Sequence, residues 1–234
     1  DAIKNMIFPG LFLVLFYFLI AFFGNQMLTS TTEEKENRVI EMLLTTVNAR
    51  TLIVGKILSL IVLAIIQSAA IIIPAFIGYS LMHDALNLPL IDLASLPVDW
   101  PRILVGFVLF TASFLLFTGL LVAVGAAVPT AKEAGGFFGI VMMLIFGPLY
   151  AASLFVSSPG SPLVQFLSFF PFTAPIPLLL RNALGNLSYQ DAAIAATILI
   201  ITATLVMQIA VRIFRYGALE YSRRLSLKEI FSRR

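Results

Sequence analysis

The residues best suited to chemistry are few, and none forms a complete catalytic site. His83 is the only histidine and is followed by Asp84, a pair that fits general acid–base catalysis but is more typical of a solvated loop. Gly55-Lys56 is the only Gly-Lys pair, and it lacks the upstream glycine and the following hydroxyl of a phosphate-binding loop. The absence of cysteine excludes thiolate metal sites and cysteine nucleophiles. We therefore predict no catalytic, cofactor-binding or metal-binding residues in this chain.

Two amides are the only strongly polar side chains in the middle of long apolar stretches. Gln67 and Gln208 are candidates for a transport pathway, although such residues more often hydrogen-bond neighbouring helices. Asp and Glu occur only in loops or at the ends of the apolar stretches, whereas ion-coupled carriers usually place charged relays within their spans. The sequence therefore disfavours a carrier that powers itself.

The apolar stretches that must position these residues are long enough to cross a membrane. Of the 234 residues, 60% are hydrophobic and 12% are charged, against about 25% charged residues in a soluble domain. A helix needs about 20 apolar residues to cross a hydrocarbon core of about 30 Å. Five stretches meet this length, at about residues 7–28, 52–79, 103–124, 135–156 and 192–213. We predict an all-α fold, a polytopic transmembrane helical bundle that forms one domain over residues 1–234.

Basic residues are distributed unevenly over the loops between these stretches. With five spans and a cytoplasmic C-terminus, twelve of the fifteen Lys and Arg residues are cytoplasmic, and Lys4, Arg102 and Arg181 are outside. A sixth span would place a large basic group outside, against the positive-inside rule. The pattern predicts a multi-pass protein of the inner or plasma membrane, with the N-terminus of this chain outside.

A proline-rich apolar stretch lies between the fourth and fifth spans. It covers about residues 163–180 and contains Pro171, Pro175 and Pro177, which interrupt helical hydrogen bonding. Irregular backbone at membrane depth is tolerated only where protein or a water-filled cavity covers it. We predict a re-entrant outer hairpin with these prolines as an outer gate. An amphipathic loop lying on the outer leaflet is the alternative.

The loop between the first two spans carries the most informative pattern. Ser30 with Glu33, or Thr31 with Glu34, fits a capping box, so we expect a short amphipathic helix to begin there and to cover about residues 33–46. Its apolar residues recur at i, i+3, i+4 and i+7, namely Ile40, Leu43, Leu44 and Val47. Its charged residues are predicted to contact a soluble protein: Glu33, Glu34, Glu36, Arg38 and Glu41. An interfacial anchor on lipid headgroups is the alternative.

This loop resembles the corresponding part of the type-2 ABC transporter permease family, and within it the sodium-extrusion permeases. Residues 32–46 and 52–57 carry the resemblance, because an E-K-E run, an E-x-L-L run and a G-K-I entry to the next span follow in order. Residues 170–175 with Arg181, and the tail over residues 226–230, are similar to the same family. The resemblance covers most of the chain.

The resemblance implies the permease subunit of an ATP-driven ABC exporter that works by alternating access. Residues 33–46 would be the coupling helix that docks on a separate cytoplasmic ATPase subunit, where ATP and magnesium bind. A second permease would complete a homodimer or heterodimer in the lipid bilayer, and no nucleic acid is expected as a partner. The family usually has six spans, with an outer domain after the first, so we expect that the first span and the outer domain are missing and that this chain is the C-terminal membrane portion. The substrate stays open among sodium, a lipid, a peptide and a drug, and a membrane-embedded enzyme or assembly factor is the alternative function.

Overall fold

A computed structural model of the protein describes residues 2–82 and 96–217, and the regular structure in these ranges is helical. In chain order the helices are α1 (Ala2–Glu36), α2 (Val39–Thr46), α3 (Ala49–Met82), α4 (Trp100–Ala127), α5 (Ala131–Phe146), α6 (Ala152–Ser157), α7 (Pro162–Phe169), α8 (Pro175–Leu184) and α9 (Tyr189–Gly217). A 3-10 turn over Gly147–Ala151 joins α5 to α6.

The predicted five-span, all-helical bundle is confirmed. Within the described residues, five stretches are long and apolar enough to cross a membrane: Lys4–Glu36, Ala49–Met82, Trp100–Ala127, Ala131–Ser157 and Tyr189–Phe214. Each one contains a predicted span and extends beyond it at both ends. The spans are longer than predicted because the helices continue past the strictly apolar residues into polar flanks.

The central helix of the bundle is α4. Its apolar segment is 61% buried, against 11% for that of α3, and it packs mainly on α9 and α1. Core side chains with no exposed surface include Phe16, Phe117, Leu121 and Phe214. The buried side chains of α3 all lie in its first half, and they are Ile53, Ile57, Leu60 and Ala64. Most of α3 therefore lies at the edge of the bundle.

Local capping signals determine where α4 and α9 begin and where α8 ends. The Asp99 carboxylate accepts from the backbone N–H of Arg102 at 3.1 Å, which begins α4. The Ser188 hydroxyl accepts from the backbone N–H of Asp191 at 3.0 Å, which begins α9. α8 ends at Gly185, whose φ of 80° lies in the left-handed region that favours glycine.

The predicted start of the coupling helix is wrong. α1 runs through Glu33 to Glu36 without a break, and the separate short helix is α2, over Val39–Thr46. The Ser30 hydroxyl donates to a carbonyl one turn earlier, at 3.2 Å, instead of accepting at an N-cap. The chain turns at Arg38, whose φ of 58° is left-handed. α1 continues because extending an existing helix costs less than nucleating a new one, so the capping pattern is not used.

The apolar side chains of the predicted coupling segment are partly exposed. Met42, Leu43 and Val47 are 69%, 37% and 36% exposed. The side chains of Ile40 and Leu44 lie outside the described part of the structure. α2 therefore presents apolar side chains at one end of the bundle.

The proline-rich stretch forms two short helices, α7 and α8, joined by residues 170–174, rather than one continuous helix. The Thr173 hydroxyl lies 3.0 Å from the carbonyl oxygen of Leu167 and stabilises the turn. Pro175 and Pro177 are buried in the first turn of α8, and Pro171 is half-buried in the connecting turn. The position of this helical hairpin relative to the membrane stays a prediction.

Candidate coupling site

A buried polar cluster fastens the last turn of α1 to the end of α4. This α1–α4 clamp consists of Thr32, Lys35, Gly125, Ala126 and Val128. The fully buried Lys35 Nζ donates to the carbonyl oxygens of Ala126 and Val128 at 3.2 and 3.3 Å, and the Thr32 hydroxyl donates to that of Gly125 at 3.0 Å. Carbonyls at a helix C-terminus lack intrahelical partners and carry partial negative charge. The lysine therefore caps α4 through charge-assisted hydrogen bonds.

Gly125 allows the two helices of the clamp to approach each other. A Cβ at this position would lie 2.4 Å from the carbonyl oxygen of Leu28 and 3.2 Å from the Cβ of Thr31. Both contacts are shorter than ordinary van der Waals separation, and the first is to rigid backbone. Small residues at helix crossings commonly permit such contact in membrane proteins. Any side chain here would push α1 away from α4.

Two of the residues predicted to contact a soluble partner also make contacts within the chain. The Glu34 carboxylate pairs with Lys56 Nζ on α3 at 2.7 Å. The Glu36 carboxylate accepts from the backbone N–H of Ala131 at 3.2 Å, at the start of α5. The last turn of α1 therefore contacts α3, α4 and α5, and the contact of these residues with a soluble partner stays a prediction.

The remaining predicted partner-contact residues lie beside this turn. Glu33 is exposed in the last turn of α1, and Arg38 is exposed in the left-handed turn before α2. The side chain of Glu41 lies outside the described part of the structure. α2 and the end of α1 thus expose both apolar and charged side chains.

Reversing one charge of the Glu34–Lys56 pair should be repaired by reversing the other. Glu34→Lys places two lysines side by side and should lower the melting temperature by about 2–4 °C, since a pair of this exposure contributes about 1 kcal/mol at most. Adding Lys56→Glu recreates the pair and should restore most of the loss. Differential scanning fluorimetry of the unmodified protein and the two variants measures this. A double variant no more stable than Glu34→Lys would contradict the intramolecular role.

At the opposite end of the bundle a second polar cluster joins α4, α8 and α9. This α8 cluster consists of Asp99, Arg102, Arg181, Asn182 and Asp191. Arg102 donates to the carbonyl oxygen of Asn182 at 3.2 Å and pairs with Asp99 at 3.1 Å, while the Asn182 amide donates to the carbonyl oxygen of Arg102 at 3.0 Å. Arg102 and Gly125 are about 35 Å apart along α4 at the rise of an α-helix. α4 therefore connects the two clusters directly.

Arg181 ties the α7–α8 hairpin to α9. It is 2% exposed, donates to the Ser168 hydroxyl on α7 at 3.0 Å and lies 3.7 Å from the Asp191 carboxylate on α9. Arg181 is outside the five candidate spans. Burial lowers the pKa of its guanidinium, and the negative charge of Asp191 opposes this shift. The hairpin is thus held by a buried charge with partners on two neighbouring helices.

The two mid-span amides are not brought together. Gln208 is exposed on α9, in a groove that Val54 also lines. Gln67 is half-buried on α3, about 20 Å further along that helix than Val54 at helical rise. Their shared role in a pathway stays a prediction. His83 and Asp84 lie outside the described residues.

Sequence reasoning missed the residues that form the α1–α4 clamp. Thr32 and Lys35 are spaced i, i+3, a signal that they share one helical face. Their acceptors lie more than 90 positions further along the chain, at separations of 93 and 91 residues. The sequence alone does not indicate that these carbonyls are the partners.

Five apolar spans, of which α4 is the central one, with polar clusters at both ends, define an α-helical multi-pass membrane protein. The family described as ABC-2 family transporter protein matches residues 2–212. The chain belongs to this family, which comprises permease components of ABC transporters. The family-level resemblance seen in the sequence is therefore confirmed.

Two relatives match almost the whole chain. Uncharacterized protein MJ1024 of Methanocaldococcus jannaschii is 24% identical over 230 residues, which are 98% of this chain and 54% of that protein. Uncharacterized protein YhaP of Bacillus subtilis is 21% identical over 228 residues, which are 97% of this chain and 54% of that protein. The chain thus spans about half the length of these relatives. No solved structure matches it.

Proposed function

We propose that this chain is the membrane part of an ATP-driven ABC exporter, and that a separate ATPase subunit docks on α2 and the last turn of α1. The observation that supports this most directly is the α1–α4 clamp, because it links the segment that leads into α2 to the central helix. A displacement of α2 would therefore reach α4 through buried, charge-assisted hydrogen bonds.

The surface of α2 is suited to a protein partner. Met42, Leu43 and Val47 are exposed apolar residues, and Glu33 and Arg38 lie close by in the sequence as exposed charges. Protein interfaces commonly place apolar contacts at the centre and polar residues at the rim. The ATPase would bind ATP and magnesium, and this chain would provide the docking helix.

In the proposed cycle, ATP binding draws two ATPase subunits together and moves the two α2 helices of a permease homodimer or heterodimer. ATP shifts the equilibrium between inward-open and outward-open states only by binding one state more tightly. α4 would carry the motion to the α8 cluster. The hairpin with Pro171, Pro175 and Pro177 would then act as the outer gate, and the substrate would pass outward between the protomers.

We also propose that the α2 end is cytoplasmic and the α8 end is outside, because this places most basic residues inside. The chain has no cysteine, so single cysteines can report the orientation. Gln190→Cys should react with an impermeant thiol reagent in intact cells, and Glu33→Cys only after permeabilisation, since both positions are exposed. Positions 35 and 181 are unsuitable because Lys35 and Arg181 are buried. The opposite labelling pattern would show that the orientation is inverted.

Purification of the full-length protein from its native membrane tests the proposed function. An exporter should co-purify with a subunit that carries a phosphate-binding loop and hydrolyses ATP. A membrane-embedded enzyme or an assembly factor should not bring such a subunit. Loss of the subunit when Met42→Asp places a charge on α2, with Gln190→Asp at the other end as the control, would support docking at α2. A stable complex that is insensitive to Met42→Asp would place the docking surface elsewhere.

A further inference from the structure

A groove of about 620 Å³ lies between α3, α4 and α9. Its lining follows α9 from Ile200 to Arg212, a distance of about 18 Å at helical rise. Val54 and Ile200 in its wall are 42% and 51% exposed, so the groove opens on the surface of the bundle. Its lining includes no residue of the α1–α4 clamp or of the α8 cluster.

One end of the groove is polar and cationic. Arg50 on α3 and Gln208 and Arg212 on α9 line it, and all three are exposed. Thr204, Gln208 and Arg212 recur every four residues and so share one face of α9. Within the described part of the chain, neither arginine has an ion-pair or hydrogen-bond partner. Two such guanidinium groups on one groove favour an anion between them.

The rest of the wall is apolar, and it includes Ala112, Leu115, Ile200, Ala203 and Met207. The whole groove, with its cationic end included, is about 18 Å long at helical rise, which is close to half of a hydrocarbon core of about 30 Å and so to the depth of one leaflet. Basic pockets between spanning helices at the cytoplasmic side are known to bind anionic lipid headgroups. A groove of this length with one cationic end and an apolar wall matches a phospholipid better than a small soluble anion.

We infer that the groove binds one anionic phospholipid. Its phosphate lies against Arg50 and Arg212, Gln208 donates a further hydrogen bond to the headgroup, and an acyl chain lies along α4 and α9. The lipid would connect α3 to α9. This inference goes beyond the proposed function, and only the choice of the inner leaflet rests on the proposed orientation.

The test is native mass spectrometry of the full-length protein titrated with phosphatidylglycerol or phosphatidylcholine. A one-lipid adduct should form at a phosphatidylglycerol concentration at least about tenfold lower than that of phosphatidylcholine. The double variant Arg50→Gln, Arg212→Gln should remove this preference. Lys4→Gln, Lys132→Gln is the matched control, because it removes the same charge from two exposed lysines outside the groove. Equal loss of preference in both double variants would contradict the site.

A second variant tests the apolar wall without a change of charge. Ala203→Phe fills the groove and should weaken phosphatidylglycerol binding by about tenfold or more, while the melting temperature in lipid-free detergent shows that the protein is folded. Excess inorganic phosphate should not displace the lipid. Displacement of the lipid by phosphate would mean that the arginines bind a free anion. Unchanged lipid binding in Ala203→Phe would mean that the lipid binds elsewhere. Either result would overturn the inference.

Discussion

Replacing Lys35 by Met should reduce the ability of the permease to stimulate ATP hydrolysis by its partner by about tenfold or more. Lys35 is fully buried and donates to two carbonyls at the end of α4. Met is of similar length but cannot donate, so these carbonyls lose a charged partner. Hydrogen bonds to charged groups contribute about 1.5–3 kcal/mol to stability, and a change of about 1.4 kcal/mol in an activation free energy corresponds to a factor of ten in rate. The measurement is the ATP hydrolysis rate of the reconstituted full-length complex relative to the ATPase alone.

Lys132→Met is the matched control, because Lys132 is an exposed lysine in the first turn of α5, close in sequence to the clamp carbonyls. It should leave the stimulation unchanged. The ATPase should still co-purify with Lys35→Met, because α2 is unaltered. This result would show that the variant has lost transmission of motion and not docking. If Lys35→Met stimulates hydrolysis as well as the unmodified permease, the clamp does not transmit motion from α2.

Gly125→Ala should destabilise the bundle although alanine is the better helix former. The new methyl group would lie 2.4 Å from the backbone carbonyl oxygen of Leu28, so α1 and α4 must separate. Forcing additional atoms into a packed interface typically costs about 1–3 kcal/mol. Separation would also lengthen the hydrogen bonds of Thr32 and Lys35. We expect a melting temperature several degrees lower, on the order of 2–4 °C per kcal/mol, together with reduced stimulation of hydrolysis.

Gly135→Ala is a control in which the same substitution should not lower the stability of the protein. Gly135 lies within α5, and a Cβ there would have no other atom within 4 Å. Replacing glycine by alanine in a helix interior is worth up to about 1 kcal/mol, so this variant should be as stable as the unmodified protein or more stable. If both variants shift the melting temperature in the same direction, close packing at Gly125 does not limit the contact between α1 and α4.

The spans could be predicted from the sequence because their signal is local and strong. A run of about 20 apolar residues has few stable alternatives to a spanning helix, and four of the five runs form one α-helix each. The fourth run forms α5 and α6, joined by a 3-10 turn. The break between α7 and α8 was also predictable, since Pro171 cannot continue a helix and Pro175 favours the start of a new one. In both cases the residues that determine the structure are close together in the chain.

The boundary between α1 and α2 was not predictable in the same way. The Ser30–Glu33 pattern is a valid capping signal, but it follows an apolar helix that propagates through it to Glu36. Likewise, the intrachain contacts of Glu34 and Lys35 were not predictable from their charges. Their partners, Lys56 on α3 and the carbonyls of residues 126 and 128, are brought close only by tertiary packing. Long-range contacts of this kind have no local pattern.

The central claim is that α2 is the docking element for an ATPase, and cross-linking from α2 in the native complex tests it most directly. A photoreactive amino acid at position 42 replaces Met42, which is 69% exposed on α2, and the same residue at the exposed position Gln190 marks the opposite end. After irradiation, mass spectrometry identifies the attached proteins. We predict a product between position 42 and a subunit with a phosphate-binding loop, altered in yield by ATP, and no such product from position 190. Adducts from position 42 that contain only lipid would contradict the claim and make α2 an interfacial anchor.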